Sequence, residues 1–118
     1  MKIMLNVVLP HEPFNTLVRK GKAGEILGKI NAEIKPEAVY FTEQNGKRSG
    51  IYIVNLTKES DIPKLAEPFF LNFNADCQLR VVMTPDDLMK SGIDQIGKKW
   101  AKENMGQTSK PELTKVAA

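Results

Sequence analysis

The chain has 118 residues, 42% of them apolar, and a formal net charge of +3, which is typical of one globular domain. Its single cysteine, Cys77, excludes an internal disulfide, and no cysteine and histidine pairs have metal-site spacing. No apolar run reaches the roughly 18 residues of a membrane span. We therefore predict a cytoplasmic protein with no membrane contact, no metal and no cofactor.

The first predicted element is a strand from Lys2 to Leu9. Both of its alternating sets of residues are apolar, as in a strand that is covered on its two faces. After Pro10, two apolar helical stripes follow that point in nearly opposite directions at 100° per residue. Because one straight helix cannot bury both, the sequence predicts two short helices or a kink, meeting at Gly21 to Gly24.

The dipeptide Asn45-Gly46 predicts a strand hairpin, because a two-residue type I′ turn needs positive φ at both central positions. This turn places Tyr40 opposite Ile51. It also places Glu43 opposite Arg48, which predicts a cross-strand ion pair at the exposed tip. The alternation puts apolar side chains on both faces of the hairpin.

Three further elements are predicted in the second half of the chain. Ser60 to Pro63 is typical of a helix start, and a strand is predicted from Cys77 to Met83. Thr84 to Asp87 starts a last helix, whose apolar stripe ends at Trp100. We therefore predict a domain over residues 1–100 and a polar tail over residues 101–118, flexible or laid over a partner.

The order of elements predicts an α+β fold, a ferredoxin-like β-α-β-β-α-β sandwich with an extra C-terminal helix. In this architecture the helices cover one face of a four-stranded antiparallel sheet. Every predicted strand carries apolar residues on both faces, so the second face needs a partner. A second copy stacked sheet to sheet would supply it, and we predict a homodimer.

Three stretches of the chain resemble a group of small bacterial proteins with no assigned activity, in the dimeric α/β-barrel superfamily. These stretches are Lys35 to Glu43, Asp61 to Phe69 and Met83 to Leu88. The resemblance runs from about Lys2 to Trp100 and implies two sheets stacked into one barrel. Because relatives in the superfamily place ligands between sheet and helices, it also implies a ligand pocket there.

Few residues in the sequence carry evident chemistry. His11 follows the first strand and is a candidate general acid or base, or part of an ordinary polar turn. Asn6 and Arg80 interrupt apolar strands that neighbour each other in the predicted sheet. With Tyr40 or Tyr52 further across the sheet, they form a candidate ligand site anchored by Arg80, or polar contacts across the dimer interface. Phe70 lies off the main helical stripe and is a candidate for facing a cleft or a second subunit.

These observations predict a homodimeric module that binds a small molecule or has a structural role, with no assignable reaction. The alternative is a cofactor-independent monooxygenase or isomerase that acts on an aromatic or lactone-like molecule in the cleft. Single-stranded RNA binding is less favoured, because the net charge is small and the first strand has no aromatic residue.

Overall fold

The structure, a computed structural model, describes residues 1–103 and divides into two compact units. The first unit is Met1–Val82, and the second begins at Met83. The elements of the first unit are β1 (Lys2–Leu9), α1 (His11–Arg19), α2 (Ala23–Ile34), β2 (Ala38–Gln44), β3 (Lys47–Asn55), a 3-10 turn (Glu59–Asp61), α3 (Ile62–Phe73) and β4 (Asp76–Val81). The described part of the second unit contains α4 (Pro85–Lys90) and α5 (Ile93–Glu103). Of the predicted tail, residues 101–103 belong to α5, and residues 104–118 lie outside the described residues.

The four strands of the first unit form one sheet in the order β2-β3-β1-β4. Every neighbouring pair in it is antiparallel. The predicted α+β class with a four-stranded antiparallel sheet is therefore confirmed. The strand order is compatible with the ferredoxin-like prediction.

The hairpin between β2 and β3 has the predicted register, with Tyr40 opposite Ile51. Asn45 and Gly46 have φ values of 54° and 81°, as a type I′ turn requires. Glu43 is opposite Arg48, but the predicted ion pair between them is wrong for the described residues. The Glu43 carboxylate instead accepts a hydrogen bond from the Gly46 N–H at 2.9 Å, because the tight turn brings that donor closer.

The predicted break in the first helical segment is confirmed. Helices α1 and α2 are separate, and Gly21 between them has a φ of 68°, a left-handed conformation that glycine adopts without steric cost. The break lets each helix turn its own stripe to the sheet. Helix α1 buries Phe14, and α2 buries Ala23, Ile30 and Ile34.

The core lies between these helices, α3 and one face of the sheet. Two aromatic pairs cross it, with ring centres 5.1 Å apart for Tyr52 and Phe69 and 5.2 Å apart for Phe14 and Phe73. Each fully buried side chain of this size contributes roughly 1.5–3 kcal/mol to folding. The buried apolar side chains of the sheet are those of Ile3, Leu5, Val7, Leu9, Tyr52 and Val54.

The opposite face of the sheet, called the open face below, mixes apolar and polar residues. Its apolar residues on β1, β2 and β3 are Val8 and five others, called the apolar group below: Met4, Ala38, Tyr40, Ile51 and Ile53. Strand β4 presents only Asp76, Gln78 and Arg80 to this face. The prediction that every strand is apolar on both faces is therefore wrong for β4, where the short strand ends before the apolar Val82.

The predicted last helix starts where expected but is divided. Thr84 caps α4 in a capping box with Asp87, and Gly92, at a φ of 76°, separates α4 from α5. The residues of the predicted apolar stripe are 49–76% exposed. These residues are Met89, Ile93, Ile96 and Trp100. Within residues 1–103, no helix has the length and apolar content to cross a bilayer.

Candidate functional site

A cleft of about 260 Å³ lies between the hairpin and the first two helices, and it is called the sheet–helix cleft below. This is the part of the fold in which we expect a ligand. Leu9 and Phe14 on its wall are buried, whereas Phe41 is 60% exposed. The lining residues are Leu9, Phe14, Leu27, Phe41, Thr42, Arg48 and Ser49.

Arg48 is the charged residue of the sheet–helix cleft. Its Nη1 donates a hydrogen bond of 2.7 Å to Asn15 Oδ1 on α1. Its guanidinium carbon lies 4.9 Å from the centre of the Phe14 ring, a cation–π distance. A guanidinium has five N–H donors, and in the described part of the chain no carboxylate pairs with this one. Arg48 is therefore a positioned cation with donors left for a ligand.

The other polar lining residues turn away from the sheet–helix cleft. Thr42 and Ser49 alternate along their strands with Phe41 and Arg48, so their side chains point to the open face. The Ser49 hydroxyl donates a hydrogen bond of 3.4 Å to Asn6 Oδ1 on that face. The side chains that face the cleft are thus apolar ones and one guanidinium, with no group that accepts a proton near neutral pH.

His11, the candidate acid or base, is the first residue of α1 and is exposed. It does not line the sheet–helix cleft. The neighbouring Glu12 carboxylate accepts hydrogen bonds from the Thr16 hydroxyl at 2.7 Å and from the Thr16 N–H at 3.2 Å. These bonds, with the Arg19 charge at 3.6 Å, hold the pKa of Glu12 below its ordinary value.

The other predicted site residues fall on two sides of the sheet. Asn6, Tyr40 and Arg80 share the open face, where Asn6 is buried and Tyr40 and Arg80 are exposed. Phe70 is 40% exposed on α3, whose neighbouring Phe69 packs against the core face of the sheet. The structure therefore brings three of the four candidates to one face and leaves Phe70 on the other side.

A second cavity, of about 270 Å³, lies on the open face and is called the polar cavity below. Buried Asn6 stands in it and donates from Nδ2 to Gln44 Oε1 at 3.0 Å. Sequence reasoning identified Asn6 but missed its neighbours, although the hairpin register already placed Gln44 and Lys47 on the face of Tyr40. The lining residues are Asn6, Val8, Gln44, Asn45, Lys47, Asp76 and Gln78.

Cys77, the single cysteine, is half-buried on β4. Burial raises the pKa of its thiol to about 11, and the carboxylates of Asp76 and Glu67 act in the same direction. The thiol is therefore protonated near neutral pH and is a poor nucleophile. Among residues 1–103, no three histidine, cysteine or acidic side chains form a group that would hold a metal ion.

Comparison of the chain with protein-family models, with curated proteins and with solved structures finds no match. A functional assignment therefore rests on the two cavities and the open face.

Proposed function

We propose that this chain is a small-molecule-binding protein whose sheet–helix cleft takes a compact aromatic carboxylate. The observation that carries the proposal is the position of Arg48. Its guanidinium is fixed by Asn15 and by the Phe14 ring at the edge of an otherwise apolar cleft. A cation fixed before binding loses little side-chain entropy when a ligand arrives.

The side chains of the cleft favour both the acidic group and the aromatic ring of this ligand. A guanidinium binds a carboxylate through two parallel hydrogen bonds, which favours an acidic group beside Arg48. Phe14 and Phe41 offer ring edges and faces, against which an aromatic body packs more favourably than an aliphatic one of equal area. A cleft of about 260 Å³ lies just below the roughly 300–1,000 Å³ of drug-sized sites. We therefore propose a ligand with one ring.

Binding is favoured over catalysis because the side chains facing the cleft hold no general acid or base. The cofactor-independent monooxygenase or isomerase remains the alternative, without a specific contact in its favour. RNA binding by the open face has less support, since β1 and β3 present no aromatic side chain there. Tyr40, on β2, is the aromatic residue of that face.

We also propose that two copies pair through the open face, as two ferredoxin-like chains stacked sheet to sheet. The strand order supports this fold, in which helices cover one side of the sheet only. An antiparallel sheet that faces water is usually polar on that side. Here the centre of that side is the apolar group, in which Tyr40 is 62% exposed. If the open face paired with the open face of a second copy, the apolar group would be removed from water.

The ligand proposal is tested by titrating the isotope-labelled protein with benzoate and following the backbone amide signals. We expect saturable shifts at Phe14, Leu27 and Arg48, and much smaller shifts with benzamide, the neutral analogue of the same shape. Equal responses to benzoate and benzamide, or benzoate shifts confined to the open face, would refute a carboxylate site in the cleft.

The assembly proposal is tested separately by sedimentation equilibrium at micromolar concentration. The expected species has twice the 13.2 kDa of one chain. A single species of one chain mass at every concentration would overturn the proposed pairing. The titration remains informative in that case, because each copy carries its own sheet–helix cleft.

A further inference from the structure

We infer that the polar cavity is a second ligand site and that it takes a small zwitterion of the free α-amino acid class. The cavity holds about 270 Å³ and lies on the face of the sheet opposite to the sheet–helix cleft. This second site goes beyond the proposed function, because the polar cavity differs from the sheet–helix cleft in its lining residues, in its charges and in the face of the sheet on which it lies. The inference rests on two charges and on a set of amide groups.

The two charges on the wall of the polar cavity are opposite in sign and are not paired with each other. Lys47 stands at the hairpin end of β3, and Asp76 begins β4. Because β1 lies between those strands, their backbones are separated by about 10 Å, two strand spacings. In the described part of the chain neither side chain has an ion-pair partner. An ammonium and a carboxylate therefore face one cavity from two sides.

Amide groups occupy the wall between these charges. The Asn6 side chain is 9% exposed, and it uses one N–H toward Gln44 and accepts from Ser49. An amide has two N–H donors and two acceptor lone pairs, so Asn6 keeps one of each for a ligand. Gln78 lies directly opposite Asn6 in the strand register and adds a second amide. A buried amide with unused capacity stabilises a bound polar molecule more than water-exposed groups do.

This arrangement selects a zwitterion over the simpler ligand classes. An anion would be attracted by Lys47 but repelled by Asp76. A cation would be attracted by Asp76 but repelled by Lys47. A neutral sugar would use the amides but would gain nothing from either charge. An α-amino acid places its carboxylate toward Lys47, its ammonium toward Asp76 and a small polar side chain against the amides.

The polar cavity is compatible with the proposed pairing of two copies but does not depend on it. Its lining begins at Asn6, directly opposite Ile51 of the apolar group, and continues to the hairpin turn at Asn45, beyond the end of that group. All of its lining residues belong to one copy of the chain. The inference can therefore be tested on the full chain whatever its oligomeric state.

The test is a titration of the full chain with L-serine, followed by amide signals including the side-chain amides of Asn6 and Gln78. Ethanolamine, which lacks the carboxylate, and 3-hydroxypropionate, which lacks the ammonium, are the matched probes. We expect saturable shifts around the polar cavity with L-serine and at least a tenfold weaker response to either matched probe, because each lacks one charge-assisted contact. A response to one of them equal to that of L-serine, or no saturation by about 20 mM, where even millimolar binding would show, would overturn the inference.

Two conservative variants, Lys47→Gln and Asp76→Asn, assign the charges. Lys47 and Asp76 are both exposed to solvent, so we expect both variants to fold as the wild type does. Each variant should weaken L-serine binding about tenfold, the effect of one lost charge-assisted hydrogen bond. Lys64→Gln on α3, away from both cavities, is the control and should bind as the wild type does. Unchanged affinity in both cavity variants would contradict the site.

Discussion

The guanidinium carbon of Arg48 lies 4.9 Å from the centre of the Phe14 ring, and Phe14 is itself a residue of the hydrophobic core. Phe14 is 6% exposed and packs against Phe73 with ring centres 5.2 Å apart. One aromatic ring thus joins the most buried part of the fold to the charged residue of the sheet–helix cleft. The stability of the fold and the proposed ligand binding therefore both depend on Phe14.

We predict different costs for shortening the two aromatic side chains of the cleft. Phe14→Leu removes buried ring contacts and should lower the free energy of unfolding by about 1–3 kcal/mol, below the 3–5 kcal/mol typical of truncation to alanine. Phe41→Leu, at a side chain that is 60% exposed, should cost less than about 1 kcal/mol. Urea denaturation of the two variants measures the difference. Equal costs would contradict the burial of Phe14.

Replacing glycine by alanine should have opposite effects on stability at two positions of the first unit. Gly46 has a φ of 81° in the hairpin turn, so Gly46→Ala should destabilise the protein by about 1 kcal/mol or more. Gly28 lies inside α2, and a methyl group there meets no atom within 4 Å. Gly28→Ala should therefore stabilise by about 0.5–1 kcal/mol. Urea midpoints give both signs, and a neutral Gly46→Ala would argue against the type I′ turn.

The stability of the fold should decline in alkali through Cys77. The pKa of its thiol rises from the ordinary 9.0 to about 11 on folding, so between these values the unfolded chain loses a proton that the folded chain keeps. That contribution to stability is complete below about pH 9 and is lost as the pH rises to about 11. Tyr52, with a pKa raised to about 12 by burial, acts in the same direction at higher pH.

Cys77→Ala isolates this effect. Urea midpoints at pH 8 and pH 10 should fall less steeply in the variant than in the wild type. An identical fall in the two proteins would show that the thiol does not titrate differently on folding.

The proposed pairing of two copies can be tested with two neighbouring residues. Tyr40 and Phe41 are 62% and 60% exposed and point to opposite faces of β2. Tyr40→Asp should shift the protein toward the mass of one chain, because it places a charge in the apolar interface. Phe41→Asp should leave the mass unchanged. Sedimentation of both variants distinguishes the faces, and a shift caused by Phe41→Asp alone would place the interface elsewhere.

The local features of the fold were predictable because short-range physics determines them. Asn45-Gly46 determined the hairpin register residue by residue, since few other dipeptides adopt positive φ twice. The opposed stripes before and after Gly21 likewise predicted two short helices or a kink, and the structure has two helices. The alternation in β1 and β4 was enough to expect Asn6 and Arg80 on one face.

Features that depend on distant parts of the chain were not predictable. The Arg48 side chain was expected to pair with Glu43 across the strand, but it binds Asn15, which is 33 residues earlier in the chain. The stripe that ends at Trp100 has the helical period of a core helix, yet it is exposed in the single chain. Periodicity shows that a face is apolar but does not show what covers it.

The most direct test of the proposed function is the affinity for benzoate of Arg48→Met compared with Arg80→Met. Methionine keeps an unbranched side chain and removes the charge in both, and the two arginines lie on opposite faces of the sheet. We predict that Arg48→Met binds benzoate about tenfold or more weakly in calorimetry, as expected for a lost charge-assisted contact, while Arg80→Met binds as the wild type does. Unchanged affinity in Arg48→Met, or an equal loss in both variants, would contradict a carboxylate site in the sheet–helix cleft.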